Sequence, residues 1–307
     1  MRNRKLRLLS LFLATVMMLG LLAGCNSSGG DDKKSSGGGS KDSIVIATMS
    51  ETPSLSPYDH NATAGSYMNL LTYSTLFNTD VEMNPQPNLV ESYENTSETE
   101  WVFKLKQGVK FHNGDEMKAE DVVASIEYGK TCAEVNLYNQ CVETIEAVDE
   151  YTIKITTPGP SAILLNHLCH HGNAIVPKKL LDEGHDFASD PVGSGPYKLV
   201  EWKRGDSVEF EAFADYFDGE APIKHMTWKI IPEGSSRTIA LEAGEIDFIV
   251  EVEQMDIDRL EGNDEIEVYQ YEATDYNYLQ LNHEYGALGN QLVRHAINAA
   301  INKENVG

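Results

Sequence analysis

The sequence predicts an α/β fold, and the second half of the chain carries the clearest pattern. Alternating apolar residues in 226–230 and a short apolar run in 246–250 predict two strands. Between them we expect a helix that begins at Ser235 or Ser236 as its cap and ends before Gly244. Strand, helix and strand in this order imply a parallel crossover. About 265 residues follow the N-terminal leader and spacer, enough for two lobes.

The rest of the chain predicts both element types in turn. Residues 43–48 are rich in β-branched side chains and predict a buried strand, and residues 67–77 carry apolar residues at helical spacing. Residues 101–106 alternate as a strand and turn at Gly108 into Val109 and Phe111. The remaining predictions are a helix over 119–128, a strand over 151–155 and a hairpin of strands 197–202 and 208–213.

The first 24 residues have the pattern of a bacterial lipoprotein signal peptide. Four basic residues precede an apolar run over 8–22, and the small residues Ala23 and Gly24 stand directly before Cys25. A membrane-spanning anchor is the alternative, but about 15 apolar residues fall short of the roughly 20 needed. We therefore predict lipid attachment at Cys25 and a location on the extracytoplasmic face of the cell membrane.

Residues 25–42 are predicted to be a flexible linker, and the overall charge of the chain excludes some classes of binding partner. Residues 26–40 contain glycine, serine, lysine, aspartate and one asparagine, a composition typical of a flexible linker. The chain has 24 Lys and Arg against 48 Asp and Glu, and four of the basic residues lie in the leader. Such an excess of negative charge argues against binding to nucleic acid and against docking on anionic lipid.

Cysteine and histidine suggest two further features. Cys132 and Cys141 are close enough in sequence to pair in an oxidising compartment, which leaves Cys169 unpaired. His167, His170 and His171 surround Cys169, and imidazole and thiolate are ligands for nickel or zinc. The apolar residues 162–165 before them favour ordinary packing instead. These histidines are therefore only weak metal candidates, and we expect no cofactor.

Seven segments of the chain occur in the order found in one known family. They are residues 87–93, 101–114, 119–125, 190–197, 202–205, 240–247 and 293–298. Together they resemble the family-5 extracellular solute-binding proteins, the peptide and nickel receptors of ABC importers. Lys118 departs from the family pattern, in which a serine or threonine caps the helix at 119, so a cap worth about 1 kcal/mol is expected to be lost.

The resemblance implies a periplasmic-binding-protein-like fold of type II, with two lobes and an inserted smaller domain that close on ligand by hinge motion. It divides the chain into a first α/β lobe at 43–77 and 190–274, an inserted domain at 78–189, and the start of a second lobe at 275–307. Family members continue for a comparable length. The expectation is therefore a fragment or a truncated product, with the second large lobe mostly missing and the amphipathic helix over 292–301 without its partner surface.

The resemblance also nominates ligand-lining residues, in the loop after the first strand and in the segment that crosses to the second lobe. They are Ser50, Glu51, Thr52, Tyr276, Asn277 and Tyr278. For the two tyrosines, a purely structural role as half-buried strand residues is an equal alternative. Gly193, Gly195 and Pro196 are expected to shape the turn into the strand at 197 rather than to touch ligand.

The function implied is that of a monomeric substrate-binding lipoprotein of an ABC importer, which delivers ligand, with peptides favoured, to the permease subunits. A receptor for nickel or another small solute, and a lipoprotein sensor, are the alternatives; a neighbouring transporter operon would separate importer from sensor. An extracellular hydrolase is disfavoured, because Val192 replaces the first glycine of a nucleophile elbow around Ser194. The HExxH and P-loop motifs are also missing from the sequence.

Overall fold

The computed structural model describes residues 42–271 and 278–302. The strands in this part of the chain are β1 (Ser43–Thr48), β2 (Phe77–Thr79), β3 (Pro85–Pro87), β4 (Val90–Asn95), β5 (Glu100–Leu105), β6 (Thr144–Asp149), β7 (Thr152–Thr156), β8 (Tyr197–Lys203), β9 (Ser207–Ala212), β10 (His225–Ile230) and β11 (Phe248–Ile249). The α-helices are α1 (Thr63–Thr72), α2 (Ala119–Thr131), α3 (Leu164–His167), α4 (Lys178–Glu183), α5 (Gly234–Glu242), α6 (Ile257–Glu261) and α7 (Gln291–Ala300).

The larger sheet has five strands in the order β11-β1-β10-β9-β8. β1 lies between β10 and β11 and runs parallel to both, whereas β9 is antiparallel to β8 and to β10. The predicted hairpin and the parallel crossover from β10 through α5 to β11 are confirmed. β11 is shorter than the predicted strand over 246–250, because only Phe248 and Ile249 align with β1.

The core of the five-stranded sheet is formed with α1. Ile46, Phe210 and Trp228 are buried there, and the ring of Tyr67 in α1 stacks on that of Trp228 at 5.6 Å between centroids. This helix begins and ends earlier than the predicted range of 67–77. The chain becomes extended at Tyr73. The hydroxyl of Ser74 donates to the carbonyl of Ser194 and that of Thr75 donates to the carbonyl of Phe77, which competes with helix formation.

A separate antiparallel sheet has four strands in the order β4-β5-β7-β6. Helix α2 packs on this four-stranded sheet, and its core includes Phe103, Val122, Ile126 and Ile153, each 0% exposed. The predicted strands at 101–106 and 151–155 and the helix at 119 are confirmed. The segment at 109–111 forms no strand in the structure and makes an isolated bridge from Lys110 to Glu116.

The start of α2 keeps part of the cap that its sequence appeared to have lost. The backbone N–H of Lys118 donates to Asp121 Oδ2 at 2.7 Å, the half of a capping box in which the third helical residue reaches back. Asp121 Oδ1 accepts from the backbone N–H of Lys178 at 2.7 Å. One carboxylate therefore fixes the starts of both α2 and α4, whereas Lys118 itself gives no side-chain cap, as the sequence predicted.

The start of α5 also differs from its prediction. The helix begins at Gly234, one residue before the predicted serine caps, and Glu233 is the N-cap without a side-chain hydrogen bond to the helix. Ser235 donates its hydroxyl to Glu233 Oε1 at 3.1 Å instead. The serines are thus inside the first turn, and neither caps it.

Two glycines before β8 let the chain pass close to the end of α1. The N–H of Gly195 donates to the carbonyl of Thr72 at 2.9 Å. A Cβ on Gly195 would lie 2.4 Å from the carbonyl oxygen of Leu71, and one on Gly193 would lie 2.2 Å from that of Thr72. Only glycine fits this approach. The structure therefore gives both residues a structural role before β8, and the expectation that they do not touch ligand stays a prediction.

Helix α7 has the predicted amphipathic pattern over Gln291–Ala300, and Ile301 lies just beyond its end. Its Leu292 side chain is 77% exposed. Asn290 caps the helix by accepting from the backbone N–H of Leu292 at 2.9 Å. Across residues 42–271 and 278–302, every helix is too short or too polar to cross a bilayer. The lobe and domain boundaries given above stay predictions.

Candidate functional site

The carboxyl ends of the three parallel strands β1, β10 and β11 meet at one edge of the five-stranded sheet. The N–H of Ile231, just after β10, donates to the carbonyl of Thr48 at 2.9 Å, and that of Val250, just after β11, donates to the carbonyl of Ala47 at 3.0 Å. In open α/β sheets, ligands bind outside the carboxyl ends of the strands. This edge, which we call the carboxyl edge, is therefore the candidate ligand-binding site.

The loop after β1 crosses the carboxyl edge and contains three of the nominated residues. Ser50 is exposed, Glu51 is half-buried and Thr52 is buried. Glu51 Oε1 accepts from Trp202 Nε1 at 2.9 Å and from the backbone N–H of Gly205 at 3.1 Å. The carboxylate therefore fixes the loop to the β8–β9 hairpin.

The side chain of Thr52 also has a partner within the loop, because its hydroxyl donates to the carbonyl of Ser54. Ser50 is thus the member of the trio whose side chain is most open to a ligand. Ligand binding by all three residues stays a prediction. The two partners of Glu51 were missed by sequence reasoning, since nothing in the local pattern relates residue 51 to residues more than 150 positions away.

The nominated crossing segment is only partly visible. Tyr276 and Asn277 lie outside the described residues, and Tyr278 is 71% exposed. Two further tyrosines that sequence reasoning missed lie before this segment: the rings of Tyr269 and Tyr271 stack at 6.4 Å between centroids. They border a groove of about 490 Å³ beside β11, whose apolar lining includes Phe248, Ile249 and Leu260. The i, i+2 spacing of Tyr269 and Tyr271 could have indicated from the sequence that both rings lie on one side of an extended segment.

The histidines considered for metal binding form a packed cluster with His60, which the sequence did not single out. The ring of His171 lies 4.2 Å from that of His170 and 5.6 Å from that of His60, between centroids. Tyr138 stacks on His170 at 3.4 Å. Burial lowers the pKa of His170 to about 3 and that of His171 to about 4, so both rings are neutral at neutral pH.

Each of the three histidines has at least one ring nitrogen with a partner within the protein. His170 Nδ1 accepts from the N–H of Gly172 at 3.0 Å, and His171 Nδ1 lies 3.2 Å from Ser66 Oγ. His167 Nδ1 lies 3.3 Å from Cys141 Sγ. In the part of the chain that the structure describes, no three His, Cys, Asp or Glu side chains are grouped as a metal site would require. The arrangement supports packing.

The three cysteines after residue 41 are free thiols. Cys132 donates to the carbonyl of Tyr128 at 3.4 Å, Cys141 contacts His167, and Cys169 donates to the carbonyl of Leu165 at 3.3 Å. The pairing of Cys132 with Cys141 that their spacing allowed is therefore not formed. Burial raises the pKa of each thiol, most for Cys169, to about 11, which keeps the sulfurs protonated and unreactive.

The family of the chain follows from comparison with known proteins. The sequence profile described as "Bacterial extracellular solute-binding proteins, family 5 Middle" matches residues 84–307. The chain belongs to this family. Like its neighbours among solved structures, this family-5 protein has a mixed α/β fold of the periplasmic-binding-protein type, so the predicted fold class and family are confirmed.

Two relatives of this family-5 protein bind a peptide or glutathione, according to their descriptions. The glutathione-binding protein GsiB of Escherichia coli O1:K1 is 31% identical over 267 residues, which cover 85% of this chain and 52% of GsiB. DppA of Helicobacter pylori, solved with the peptide STSA, matches with a TM-score of 0.75 and 26% identity over 86% of this chain and 57% of DppA. The chain thus spans about half the length of the curated relatives that it matches.

A third relative binds a different class of ligand. NikZ of Campylobacter jejuni, solved in complex with Ni(L-His), matches with a TM-score of 0.78 and 26% identity over 87% of this chain and 54% of NikZ. The similarity to NikZ is therefore as close as the similarity to the peptide-bound protein. Likeness to relatives leaves the class of ligand open among family-5 proteins.

Proposed function

We propose that this family-5 protein is a substrate-binding lipoprotein of an ABC importer, that it captures peptides outside the cell, and that it delivers them to the membrane permease. The family match over residues 84–307 is the observation that carries the proposal. A peptide ligand is supported by the likeness to DppA, whose structure holds the peptide STSA, and to the glutathione-binding protein GsiB.

The geometry of the carboxyl edge suits this role. The loop after β1 brings exposed Ser50 to the site, while Glu51 fixes the loop through Trp202 and Gly205. A preorganised backbone lowers the entropy lost when ligand binds. We place Ser50, Glu51, Thr52, Tyr276, Asn277 and Tyr278 around the ligand in this proposal. Closure on ligand would be the signal to the permease.

Calorimetric titration tests the proposed ligand class. The longest chain that the gene encodes is titrated with three probes: the peptide STSA, glutathione and Ni(L-His)₂. We expect heat of binding with a peptide probe and none with the nickel complex. Binding of the nickel complex alone would overturn the peptide assignment in favour of a metal receptor, and cleavage of a peptide probe would overturn the binding-protein assignment.

The lipid anchor is tested separately. Metabolic labelling with a radioactive fatty acid should mark the wild-type protein in a bacterial host and leave the Cys25→Ala variant unlabelled, because lipid is attached through the thiol. Both proteins are expected to carry the same fold, since the change lies before residue 42. Equal labelling of the two would exclude anchoring at Cys25. The alternative function, a lipoprotein sensor, is tested by the neighbouring genes. A signalling gene beside this one, in place of permease genes, would favour the sensor.

A further inference from the structure

Arg237, in the first turns of α5, is a buried cation at the carboxyl edge. It is 2% exposed and is the largest fully buried side chain among the described residues. Its guanidinium donates through Nη1 to the carbonyls of Ile231 at 2.8 Å and Pro232 at 3.0 Å. Nη2 donates to the carbonyl of Glu251 at 3.3 Å. Three backbone carbonyls from two different loops therefore converge on one side chain.

The ion pair of Arg237 is weak compared with these hydrogen bonds. Its counter-ion is Glu253, at 3.7 Å from Nη2, and the side chain of Glu253 is 55% exposed. A buried charge is costly unless it is paired and hydrogen-bonded. Because the carboxylate is distant and partly solvated, the backbone carbonyls supply most of the compensation. The planar fork of arginine can reach several carbonyls at once, which the ammonium of lysine cannot do in the same geometry.

The carbonyls belong to the loops on either side of the end of β1. Ile231 and Pro232 directly follow β10, and Glu251 follows β11. β1 lies between these two strands, so Arg237 connects the loops across it. Glu251 has a φ of 64°, in the left-handed region that non-glycine residues seldom adopt, and its carbonyl is one of those held by the guanidinium.

We propose that Arg237 is a positioning residue for the ligand-binding site. It holds the loops at 231–233 and 250–253 in fixed positions on either side of the loop at 49–52, so that the carboxyl edge is ordered before ligand arrives. The assignment of the edge as a ligand site rests on the proposed function, whereas the holding of the loops rests on contacts within the chain. Preorganisation of this kind favours affinity by reducing the cost of ordering on binding.

Hydrogen exchange of single amides, followed by NMR, tests the proposal in the variants Arg237→Gln and Arg237→Lys. The reporters are the amides of Ile231 and Val250, which donate to the end of β1, and the reference is that of Leu105 in the four-stranded sheet, which donates to the carbonyl of Tyr151 at 2.8 Å. We expect both variants to speed exchange at the reporters about tenfold or more, with the reference unchanged.

Arg259→Gln is the matched control. Arg259 is 46% exposed and makes its ion pairs with Glu242 and Asp256, which lie outside the loops at 231–233 and 250–253. Its loss should leave Ile231 and Val250 unchanged. Faster exchange at all amides equally in the Arg237 variants would indicate general destabilisation and overturn the proposal. Full restoration of protection by lysine would also overturn it, because charge alone would then suffice.

A second measurement needs no variant that has to fold. In the wild-type protein, the Nη protons of a guanidinium held by three carbonyls should exchange slowly and give separate NMR signals. A single averaged signal for the Nη protons of Arg237 would mean free rotation and contradict the proposal. Neither exchange measurement uses a ligand. A failed peptide titration would therefore reject the proposed function without affecting the test of the role of Arg237.

Discussion

The two sheets of the molecule are stabilised by different kinds of interaction. The four-stranded sheet and α2 enclose a core of apolar side chains, with Phe103, Ile153 and Val122 at 0% exposed. The five-stranded sheet has a smaller apolar core and buries polar groups at its carboxyl edge, among them Arg237 at 2% and Thr238 at 1% exposed. The contrast shows that packing dominates in one sheet, whereas hydrogen bonds to loop backbone organise the edge of the other.

The boundary between the two regions resembles the carboxyl edge rather than the apolar core. Tyr58 donates its hydroxyl to the carbonyl of Ala174 at 2.9 Å, and Asn61 donates its side-chain amide to the hydroxyl of Tyr138 at 2.9 Å. The stacked rings of His60 and His171 also cross it. Polar contacts are geometrically specific but individually contribute little net free energy. The boundary is therefore expected to respond to pH and to local changes more than either core does.

The largest expected effect comes from emptying the apolar core. Phe103→Ala removes a ring that lies 6.0 Å from those of Phe77 and Tyr93, and we expect the free energy of unfolding to fall by about 3 to 5 kcal/mol. Urea denaturation followed by circular dichroism measures this loss. Tyr93→Ala is the control, because Tyr93 is 43% exposed in the same sheet and should cost about half as much. Equal losses for the two would contradict the view that burial dominates here.

A smaller effect is expected on acidification of the boundary. Burial lowers the pKa of His171 from 6.5 to about 4, so the unfolded chain binds a proton that the folded chain refuses between these pH values. Stability is fully present above about pH 6.5 and falls as the pH drops towards 4. The loss due to His171 is on the order of 3 kcal/mol. Facing groups that modulate this loss are His60 and His170, with Asp59 and Glu134 near His60.

Urea midpoints between pH 7.5 and 4 test this expectation in His171→Gln. Glutamine does not titrate, so the variant should lose less stability on acidification than the wild type, although it starts from a lower value at neutral pH. His225→Gln, at an exposed position in β10, is the control and should follow the wild-type curve. If the stability of His171→Gln depends on pH in the same way as that of the wild type, His171 does not cause the loss of stability at acid pH.

The smallest effect is expected for the surface ion pair between the two regions. Lys110 Nζ lies 2.9 Å from Asp215 Oδ2, and the two side chains are 46% and 59% exposed. Exposed pairs contribute little because water and salt screen them, so Lys110→Ala should change the free energy of unfolding by less than about 0.5 kcal/mol. The double variant with Asp215→Ala completes the cycle. A coupling above about 1.5 kcal/mol would mean that this pair joins the two regions, against the expectation.

Local patterns in the sequence predicted the elements well where one face is buried. The hairpin at 197–213 and the strand at 43–48 lie where expected, because alternation and turn residues are local signals. The ends of α1 and α5 were wrong by one to five residues, since the hydroxyl of Ser74 bonds to a residue 120 positions away and those of Thr75 and Ser235 bond to residues two positions away. Cap and boundary positions depend on such distant or competing partners.

The sequence by itself determined the α/β class, the family and the acidic character of the chain, because periodicity, motif order and charge are written in consecutive residues. Only the tertiary structure decided that β1 lies between β10 and β11, that Glu51 is committed to Trp202, and that Arg237 connects two loops. Glu51 and Trp202 are 151 positions apart in the sequence, and Arg237 and Glu251 are 14 positions apart. Hydrogen-bond geometry between such residues exists only once the chain has folded.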